Sequence, residues 1–195
     1  MQISAAAQEH LTVGLEEAER LKQILNELLQ YTRSQRLTLT ELEINQWLTD
    51  VLPSIAAIPQ RQGQTLKFIR ASRVCVIVGD RHRLRQVMIN LVSNASEAMS
   101  SGEAITCTVV LSPSHISPSH VDLQIHNPGA PIPQAEIPQL TQPFYTTKPS
   151  GTGLGLAIVQ RIIDAHKGEL DITSDEIAGT TVTVCLPRYS DAQQA

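Results

Sequence analysis

Residues 143–159 read PFYTTKPSGTGLGLAIV, and no other segment of the sequence is more informative about the fold. Its glycines stand directly before a run with helical periodicity over 154–166. Glycine lets the backbone approach a ligand closely, and a helix N-terminus offers free N–H donors and a favourable dipole to a phosphate. No Gly-Lys-Ser/Thr follows, so the segment is not a Walker A loop, and a glycine-rich helix start by itself is weak evidence. Phe144 and Tyr145 adjoin a Thr-Thr-Lys run that is suited to anchoring a flexible loop.

A second polar set lies on the helix predicted for 80–99. Asn90 and Asn94 are four residues apart, so both amides project from one face of an otherwise apolar helix, and Glu97 follows three residues later. Asparagine is a middling helix former, and its neutral carbonyl oxygen suits Mg²⁺ shared with phosphates. From the spacing alone, two solvated surface residues are an equally good interpretation.

The third place is the turn NPGAPIP at 127–133, which follows a predicted strand. Its prolines and glycine fix an irregular backbone from which Asn127 can point into a pocket. Taken alone, an ordinary turn that ends a strand is the better interpretation of this segment.

Composition limits the remaining possibilities. The chain has 195 residues, 42% hydrophobic and 17% charged, which allows one full domain plus an appendage. Aromatic residues make up only 3%, so the core must be aliphatic. The net charge of −4 disfavours nonspecific binding to nucleic acid or to an anionic membrane, and no apolar run approaches about 18 residues. The odd number of cysteines and the lack of CxxC spacing indicate reduced core residues of a cytoplasmic protein: Cys75, Cys107 and Cys185.

The periodicity predicts an α+β domain preceded by a long helix. Apolar residues at heptad spacing, including Leu11, Leu21, Leu25 and Leu28, predict one amphipathic helix over 8–33. Either this helix belongs to a bundle or it covers the core of its own domain. Further helices are predicted over 45–58, where Pro53 should kink or shorten the helix, and over 80–99 and 154–166. Strands are predicted over 37–42, 65–69, 74–78, 105–111, 121–126, 170–174 and 180–186, with a hairpin loop over 112–120. These elements give a two-layer α/β sandwich with a mixed, mostly antiparallel sheet covered by helices on one face.

Together and in this order, the motifs resemble the N, G1, F and G2 boxes of the ATP-binding domain of two-component sensor histidine kinases. That domain shares a superfamily with DNA gyrase, the large heat-shock chaperone and mismatch-repair ATPases. The resemblance extends from about residue 8 to residue 187, and NASEAM with PFYTTKPSGTGLGLAIV is similar to the nitrogen-regulation type with a short ATP lid. It implies the Bergerat-type ATP-binding fold, with ATP and Mg²⁺ as cofactors.

The resemblance also implies roles for individual residues. Asn94 would be the principal Mg²⁺ ligand, with Asn90 assisting. Asn127 would take the place of the aspartate that reads the adenine amino group, and Thr181 would close the adenine pocket. Gly153, Leu154 and Gly155 would hold the phosphates, with Lys148 as a further phosphate contact. The expected nucleotide-binding set is completed by Glu97, Ala98, Gly129, Ile132, Thr152 and Leu156.

Two residues depart from the family pattern in the G1 box. The family offers aspartate at position 127 and a second glycine at position 131, where this chain has Asn127 and Pro131. An asparagine carbonyl can still accept from the adenine amino group, but the bond loses its charge assistance, about 1 kcal/mol. Pro131 removes an N–H and stiffens the turn, so adenine binding should be weakened in principle.

The first helix resembles the second helix of the dimerisation and phosphotransfer hairpin. The helix that carries the phosphoacceptor histidine in an H-E-x-x-N-P setting is not found in this sequence, and His10 lacks that context. We therefore expect a partial hairpin over 1–36, the ATP-binding domain over 37–188 and a disordered tail over 189–195. No catalytic residue is expected within the chain. The expected partners are ATP, a response regulator, the acceptor helix of the same kinase, and a second copy of the chain that pairs through the first helix.

Two other functions compete with a histidine kinase. A self-contained ATPase of the gyrase or chaperone kind uses a glutamate one helical turn before the metal-binding asparagine, and here that position is Asn90, which cannot act as a base at neutral pH. The remaining alternative is a non-catalytic module that binds nucleotide or protein.

Overall fold

The computed structural model describes residues 5–32, 36–111, 120–148 and 151–189. In chain order its elements are α1 (Ala5–Thr32), β1 (Thr40–Glu43), α2 (Ile44–Gln60), β2 (Thr65–Ile69), β3 (Val76–Gly79), α3 (Arg81–Glu97), β4 (Ala104–Leu111), β5 (His120–Asn127), a 3₁₀ turn (Ile137–Gln139), α4 (Gly155–Ala165), β6 (Glu169–Asp175) and β7 (Gly179–Pro187). The loop predicted over 112–120 lies outside the described residues except for His120, which begins β5. The predicted tail also lies outside them, apart from residue 189.

A mixed sheet forms one layer of the domain. Its five strands follow the order β2-β4-β5-β7-β6, with β2 parallel to β4 and the other neighbours antiparallel. The short strands β1 and β3 form a separate antiparallel pair. The mostly antiparallel sheet confirms the predicted fold class.

The helices α2, α3 and α4 form the second layer. The central strands bury every second side chain, as in Ile105, Cys107 and Val109 of β4, and these residues share one core with the apolar faces of the helices. On α3 the buried residues include Leu84, Val87, Met88 and Leu91, and on α4 they include Ile158, Val159, Ile162 and Ile163. The core is aliphatic apart from Trp47, as the low aromatic content predicts.

Two carboxylates fix the starts of α2 and α3. Glu43 accepts from the backbone of Asn45 and Gln46 at α2. Asp80 accepts from the N–H groups of His82 (3.0 Å) and Arg83 (3.1 Å) at α3. Such caps satisfy helix donors that would otherwise lack partners, and each stabilises the protein by about 1 kcal/mol. The cap at Asp80 sets where α3 begins, and therefore where its polar face lies.

Of the two effects predicted for Pro53, a kink or a shorter helix, the shorter helix is wrong. Both Pro53 and Pro59 lie inside α2, which continues to Gln60. A proline removes one hydrogen bond within a helix, but Leu52 and Ile55 are buried on either side of Pro53 and hold the helix against the sheet. Tertiary packing thus outweighs the local propensity.

The first helix lies beside α4 rather than in the core. Among the α1 side chains that the structure describes, Leu11, Leu15, Leu21 and Leu25 are exposed. The C-terminal part of α1 contacts α4 through Arg161, which donates to the carbonyl of Tyr31 and stacks on its ring with 4.6 Å between the guanidinium carbon and the ring centroid. Within the described ranges, no helix is both long and apolar enough to cross a bilayer.

Candidate functional site

A cleft of about 1150 Å³ lies between α3, the start of α4, the turn after β5 and the C-terminal half of α1. One side is built from α3 and the glycine-rich segment, and the other from the ends of β5, β6 and β7. This volume is slightly larger than the about 300–1,000 Å³ that is common for small-molecule sites, so the cleft has room for a nucleotide.

The two asparagines of α3 face this cleft. Asn90 and Asn94 are half-buried, and the Asn90 Nδ2 donates to the Gly155 carbonyl at 3.1 Å, which ties α3 to the first residue of α4. This placement rules out the interpretation that both are solvated surface residues. Their amide oxygens are hard ligands of the kind that Mg²⁺ prefers, but two neutral ligands cannot complete an octahedral shell. The described residues hold no cluster of three His, Cys, Asp or Glu that could bind a metal. The donor set therefore fits a cation that arrives with phosphate oxygens.

The glycine-rich segment is held tightly against residues 144 and 145. Gly153 has φ +69°, and a Cβ there would lie 2.4 Å from the Phe144 carbonyl carbon and 2.7 Å from the Tyr145 nitrogen. The Gly153 carbonyl accepts from the Phe144 N–H at 3.0 Å. Only glycine combines this backbone conformation with so close an approach. The segment therefore has a fixed position at the mouth of α4.

An ion pair closes one edge of the cleft. The Lys148 Nζ lies 2.5 Å from Glu97 Oε2, and Ser93 donates to the other carboxylate oxygen at 3.3 Å. Thr152 donates to the Glu27 carboxylate, so α1 also reaches the glycine-rich segment. A negatively charged ligand in this cleft would meet Lys148 as a charge partner in competition with Glu97.

Asn127 lies at the opposite, apolar end of the cleft. It is the last residue of β5 and is 4% exposed. Ile125, Ile172 and Val182 give this end apolar walls, and Ile132 contributes from the turn. The Asn127 Nδ2 is buried and has no hydrogen-bond partner among the described residues.

Gly129 and Leu154 do not line the cleft. A Cβ at Gly129 would lie 2.1 Å from the Ala98 carbonyl oxygen, so this glycine lets the turn pack against the end of α3. The Leu154 side chain belongs to the core, with 1% exposure, and its N–H donates to Thr152 Oγ1 at 3.3 Å. Both were expected in the nucleotide-binding set, but neither side chain lies among the residues that line the cleft.

Thr181, which was expected to close the adenine pocket, does not line the cleft. Successive residues of a strand face opposite sides of the sheet, and Thr181 lies beside His126, whose Nδ1 is 3.1 Å from its Oγ1. Thr180 pairs with Asn127 in the register of β5 and β7 and lines the cleft. The alternation with Val182 and Val184 in the same strand was the signal that could have identified Thr180.

Most of the predicted residues come together in this cleft. Those that line it are Asn90, Asn94, Glu97, Ala98, Asn127, Ile132, Lys148, Thr152, Gly153, Gly155 and Leu156. The sequence analysis missed two residues of the apolar walls, Ile172 and Val182. It also missed the residues that α1 contributes, namely Asn26, Glu27 and Gln30. Nothing in the sequence shows that α1 folds over the cleft, because that contact joins residues far apart in the chain.

Comparison with known proteins agrees with this arrangement. Residues 79–190, more than half of the chain, match the family model described as histidine kinase-, DNA gyrase B- and HSP90-like ATPase. The chain belongs to this ATPase family. The matched range begins at the end of β3 and contains α3, the turn after β5 and the glycine-rich segment, and so most of the elements that line the cleft.

Relatives of this ATPase domain are kinases. Sporulation kinase C of Bacillus subtilis (strain 168) is 32% identical over 185 residues, which is 94% of this chain and 42% of the relative. The sensor histidine kinase ZraS of Salmonella typhi is 34% identical over 175 residues, which is 90% of this chain and 37% of the relative. The chain thus spans less than half the length of these relatives. It corresponds to their ATP-binding catalytic portion, of the histidine kinase type.

A solved structure shares the fold of nearly the whole chain. Histidine kinase ThkA in complex with the response regulator protein TrrA superposes with a TM-score of 0.78 at 26% identity, covering 97% of this chain and 53% of ThkA. Such coverage includes α1 as well as the ATPase domain. The domain has the Bergerat fold that the motif order implied.

Proposed function

We propose that this chain holds Mg-ATP for transfer of the γ-phosphoryl group to a histidine on another helix, and from there to a response regulator, in two-component signalling. The observation that carries the proposal is the position of Asn94 and Asn90 opposite the glycine-rich start of α4, in one cleft that ends at Asn127. Phosphoryl transfer needs positioning and electrostatic stabilisation more than a protein nucleophile. The residues of this cleft supply both.

Each end of the cleft has its own role in this proposal. Asn94, assisted by Asn90, would hold Mg²⁺, which when bound neutralises charge on the phosphate oxygens. The segment around Gly153 and Gly155 and the start of α4 would face the phosphates, and Lys148 would leave Glu97 to contact them. At the other end, the base would lie between Ile172, Val182 and the Asn127 amide.

The proposed division of the chain follows the same logic. Residues 1–36 would form part of the dimerisation and phosphotransfer hairpin, and residues 37–188 the ATP-binding domain. The exposed leucines of α1 would pack against the acceptor helix and a second copy of the chain. A response regulator as partner is supported by the complex of ThkA with TrrA. A cytoplasmic location is part of this proposal, because ATP and a response regulator are encountered there.

The test is titration of Asn94→Ala with ATP in the presence and absence of Mg²⁺. We expect the variant to lose Mg-dependent ATP binding and to keep its thermal unfolding midpoint, because the amide faces the cleft and not the core. Arg85→Ala is the matched control, since Arg85 lies on the same helix and its Nη2 donates to Ser54 at 3.2 Å, outside the cleft. Unchanged affinity in Asn94→Ala would remove the metal assignment and the function built on it.

A further inference from the structure

The buried amide of Asn127 is a donor for which none of the described residues supplies an acceptor. Polar side chains near it are already engaged with one another. Thr180 Oγ1 lies 2.8 Å from Ser174 Oγ, and Ser174 Oγ also accepts from the Ile132 N–H at 2.9 Å. A buried polar group without a partner is costly, so such a group at the wall of a cleft points to a ligand that satisfies it.

The turn that follows Asn127 packs against its amide group. A Cβ on Gly129 would lie 3.0 Å from the Asn127 Nδ2, so the backbone of this turn lies directly against the amide. The surrounding walls are the apolar side chains of Ile125, Ile172 and Val182. Apolar walls contact the faces of a purine and do not distinguish its edge substituents. Discrimination at the base edge therefore falls to Asn127.

An amide differs from a carboxylate in the base edges that it accepts. It carries an N–H donor and a carbonyl acceptor side by side, whereas an ionised carboxylate only accepts. Adenine presents an amino donor next to a ring nitrogen acceptor. A 6-keto purine presents a carbonyl acceptor next to a ring N–H donor. Rotation of the amide by half a turn about its terminal torsion exchanges donor and acceptor, so it can match either edge.

We propose that Asn127 makes this site accept 6-keto purine nucleotides as well as ATP. The inference rests on the proposed nucleotide-binding function and specifies the base selectivity of the same cleft. With a keto base, the buried Nδ2 would donate to the 6-oxygen and the carbonyl would accept from the ring N–H. With aspartate at this position, the keto oxygen would face a second acceptor and leave both groups unpaired.

The experiment compares Mg-ATP, Mg-ITP and Mg-GTP as competitors for a fluorescent adenine nucleotide. ITP isolates the exchange of the 6-amino for a 6-keto group, and GTP adds the 2-amino group. We expect ITP to bind to the wild-type protein within about tenfold of ATP. In Asn127→Asp the ratio of the ITP dissociation constant to the ATP dissociation constant should rise at least about tenfold. This is the size expected for an unpaired buried group. Lys148→Ala is the control, because loss of a phosphate contact should weaken ATP and ITP by the same factor.

The outcomes separate this inference from the function on which it rests. If ATP binds and ITP is more than about a hundredfold weaker in the wild-type protein, or if Asn127→Asp leaves the ratio unchanged, the inference is overturned and the ATP site stands. If no nucleotide binds in the presence of Mg²⁺, the proposed function fails first. Circular dichroism establishes whether Asn127→Asp folds. If it does not fold, the ratio of the ITP and ATP dissociation constants of the wild-type protein tests the inference by itself.

Discussion

At the scale of single residues, Gly129 occupies a position where the backbone of another segment leaves no room for a Cβ atom. A Cβ there would meet the Ala98 carbonyl oxygen at 2.1 Å, which is backbone at the end of α3 and not a flexible side chain. We expect Gly129→Ala to displace the turn, to lower the free energy of unfolding by about 1–3 kcal/mol, and to weaken nucleotide binding. Urea unfolding and titration with Mg-ATP measure the two effects.

The control for this prediction is another glycine. Gly14 lies within α1 and has no atom within 4 Å of the position of an added Cβ. Gly14→Ala should leave stability unchanged or raise it slightly, because alanine is the better helix former. Equal stability of Gly129→Ala and the wild-type protein would show that the turn accommodates a side chain, and that its contact with Ala98 does not hold the base end of the cleft.

His166 is a buried residue that makes stability depend on pH. Its Nε2 accepts from the Asp80 N–H at 2.9 Å. Its Nδ1 therefore carries the proton and donates to the Ile162 carbonyl at 2.7 Å. A second proton would have no acceptor at Nε2. Burial lowers the pKa of His166 below its ordinary value, although the Ile162 carbonyl and the Asp80 carboxylate act in the opposite direction. The neutral ring is therefore the form that the fold requires.

The sign of the pH dependence follows from that lowered pKa. Above the unfolded pKa of about 6.5 the ring is neutral in both states, and its contribution to stability is fully present. As the pH falls below that value and through the lower pKa of His166 in the folded protein, the unfolded chain binds a proton more readily than the folded protein does. The free energy of unfolding therefore decreases. We expect lower unfolding free energies at pH 5.5 than at pH 7.5, and a smaller difference in His166→Gln. The exposed His82 provides the control variant, His82→Gln, which should keep the wild-type difference; an equal difference in all three proteins would contradict the assignment.

At the scale of elements, the strands and the hairpin of β4 and β5 were predictable, whereas the parallel pairing of β2 with β4 was not. Residues 65–69 were predicted as a strand and are β2, because β-branched and aromatic residues between polar ones leave few alternatives. The same residues do not reveal that β2 lies parallel to β4, since that pairing depends on the path of the connection through β3 and α3. The site was predictable where one element carries the motif, as for Asn90 and Asn94 of α3, whereas Thr181 was assigned one residue away from the cleft-facing Thr180. A shift of one residue in a strand reverses the face.

The contact between α1 and α4 depends on one arginine. The Arg161 guanidinium carbon lies 4.6 Å from the centroid of the Tyr31 ring, and a cation–π contact of this kind contributes about 0.5–2 kcal/mol. We expect Arg161→Ala to increase amide hydrogen exchange in α1 about fivefold for each 1 kcal/mol lost, with no change in β5 and β7. Arg70→Ala is a matched control, because Arg70 makes a similar contact with Phe68 at 5.9 Å on β2. Equal exchange in α1 of both variants would show that other contacts hold the helix.

At the scale of the whole molecule, α1 places His10 far from the cleft. Glu27 reaches the cleft through Thr152, whereas His10 is exposed 17 residues earlier on the same helix. At 1.5 Å per residue, that separation is about 25 Å along the helix axis. A γ-phosphoryl group at the start of α4 therefore cannot reach His10 within one copy of this chain. This distance agrees with the interpretation that His10 is not the acceptor.

The distance predicts what this chain does with ATP by itself. We expect it to bind ATP and to form no phosphohistidine, and to phosphorylate in trans a fragment that carries an H-E-x-x-N-P helix. The exposed leucines of α1 give such a fragment an apolar face on which to dock. The measurement is incubation with γ-labelled ATP, followed by an acid-lability check on any label incorporated. Label on the fragment should be acid-labile and absent when Asn94→Ala replaces the wild-type chain. Acid-labile label on the chain alone, lost in His10→Gln, would show that a second copy brings His10 to the cleft and that the acceptor lies on α1 itself.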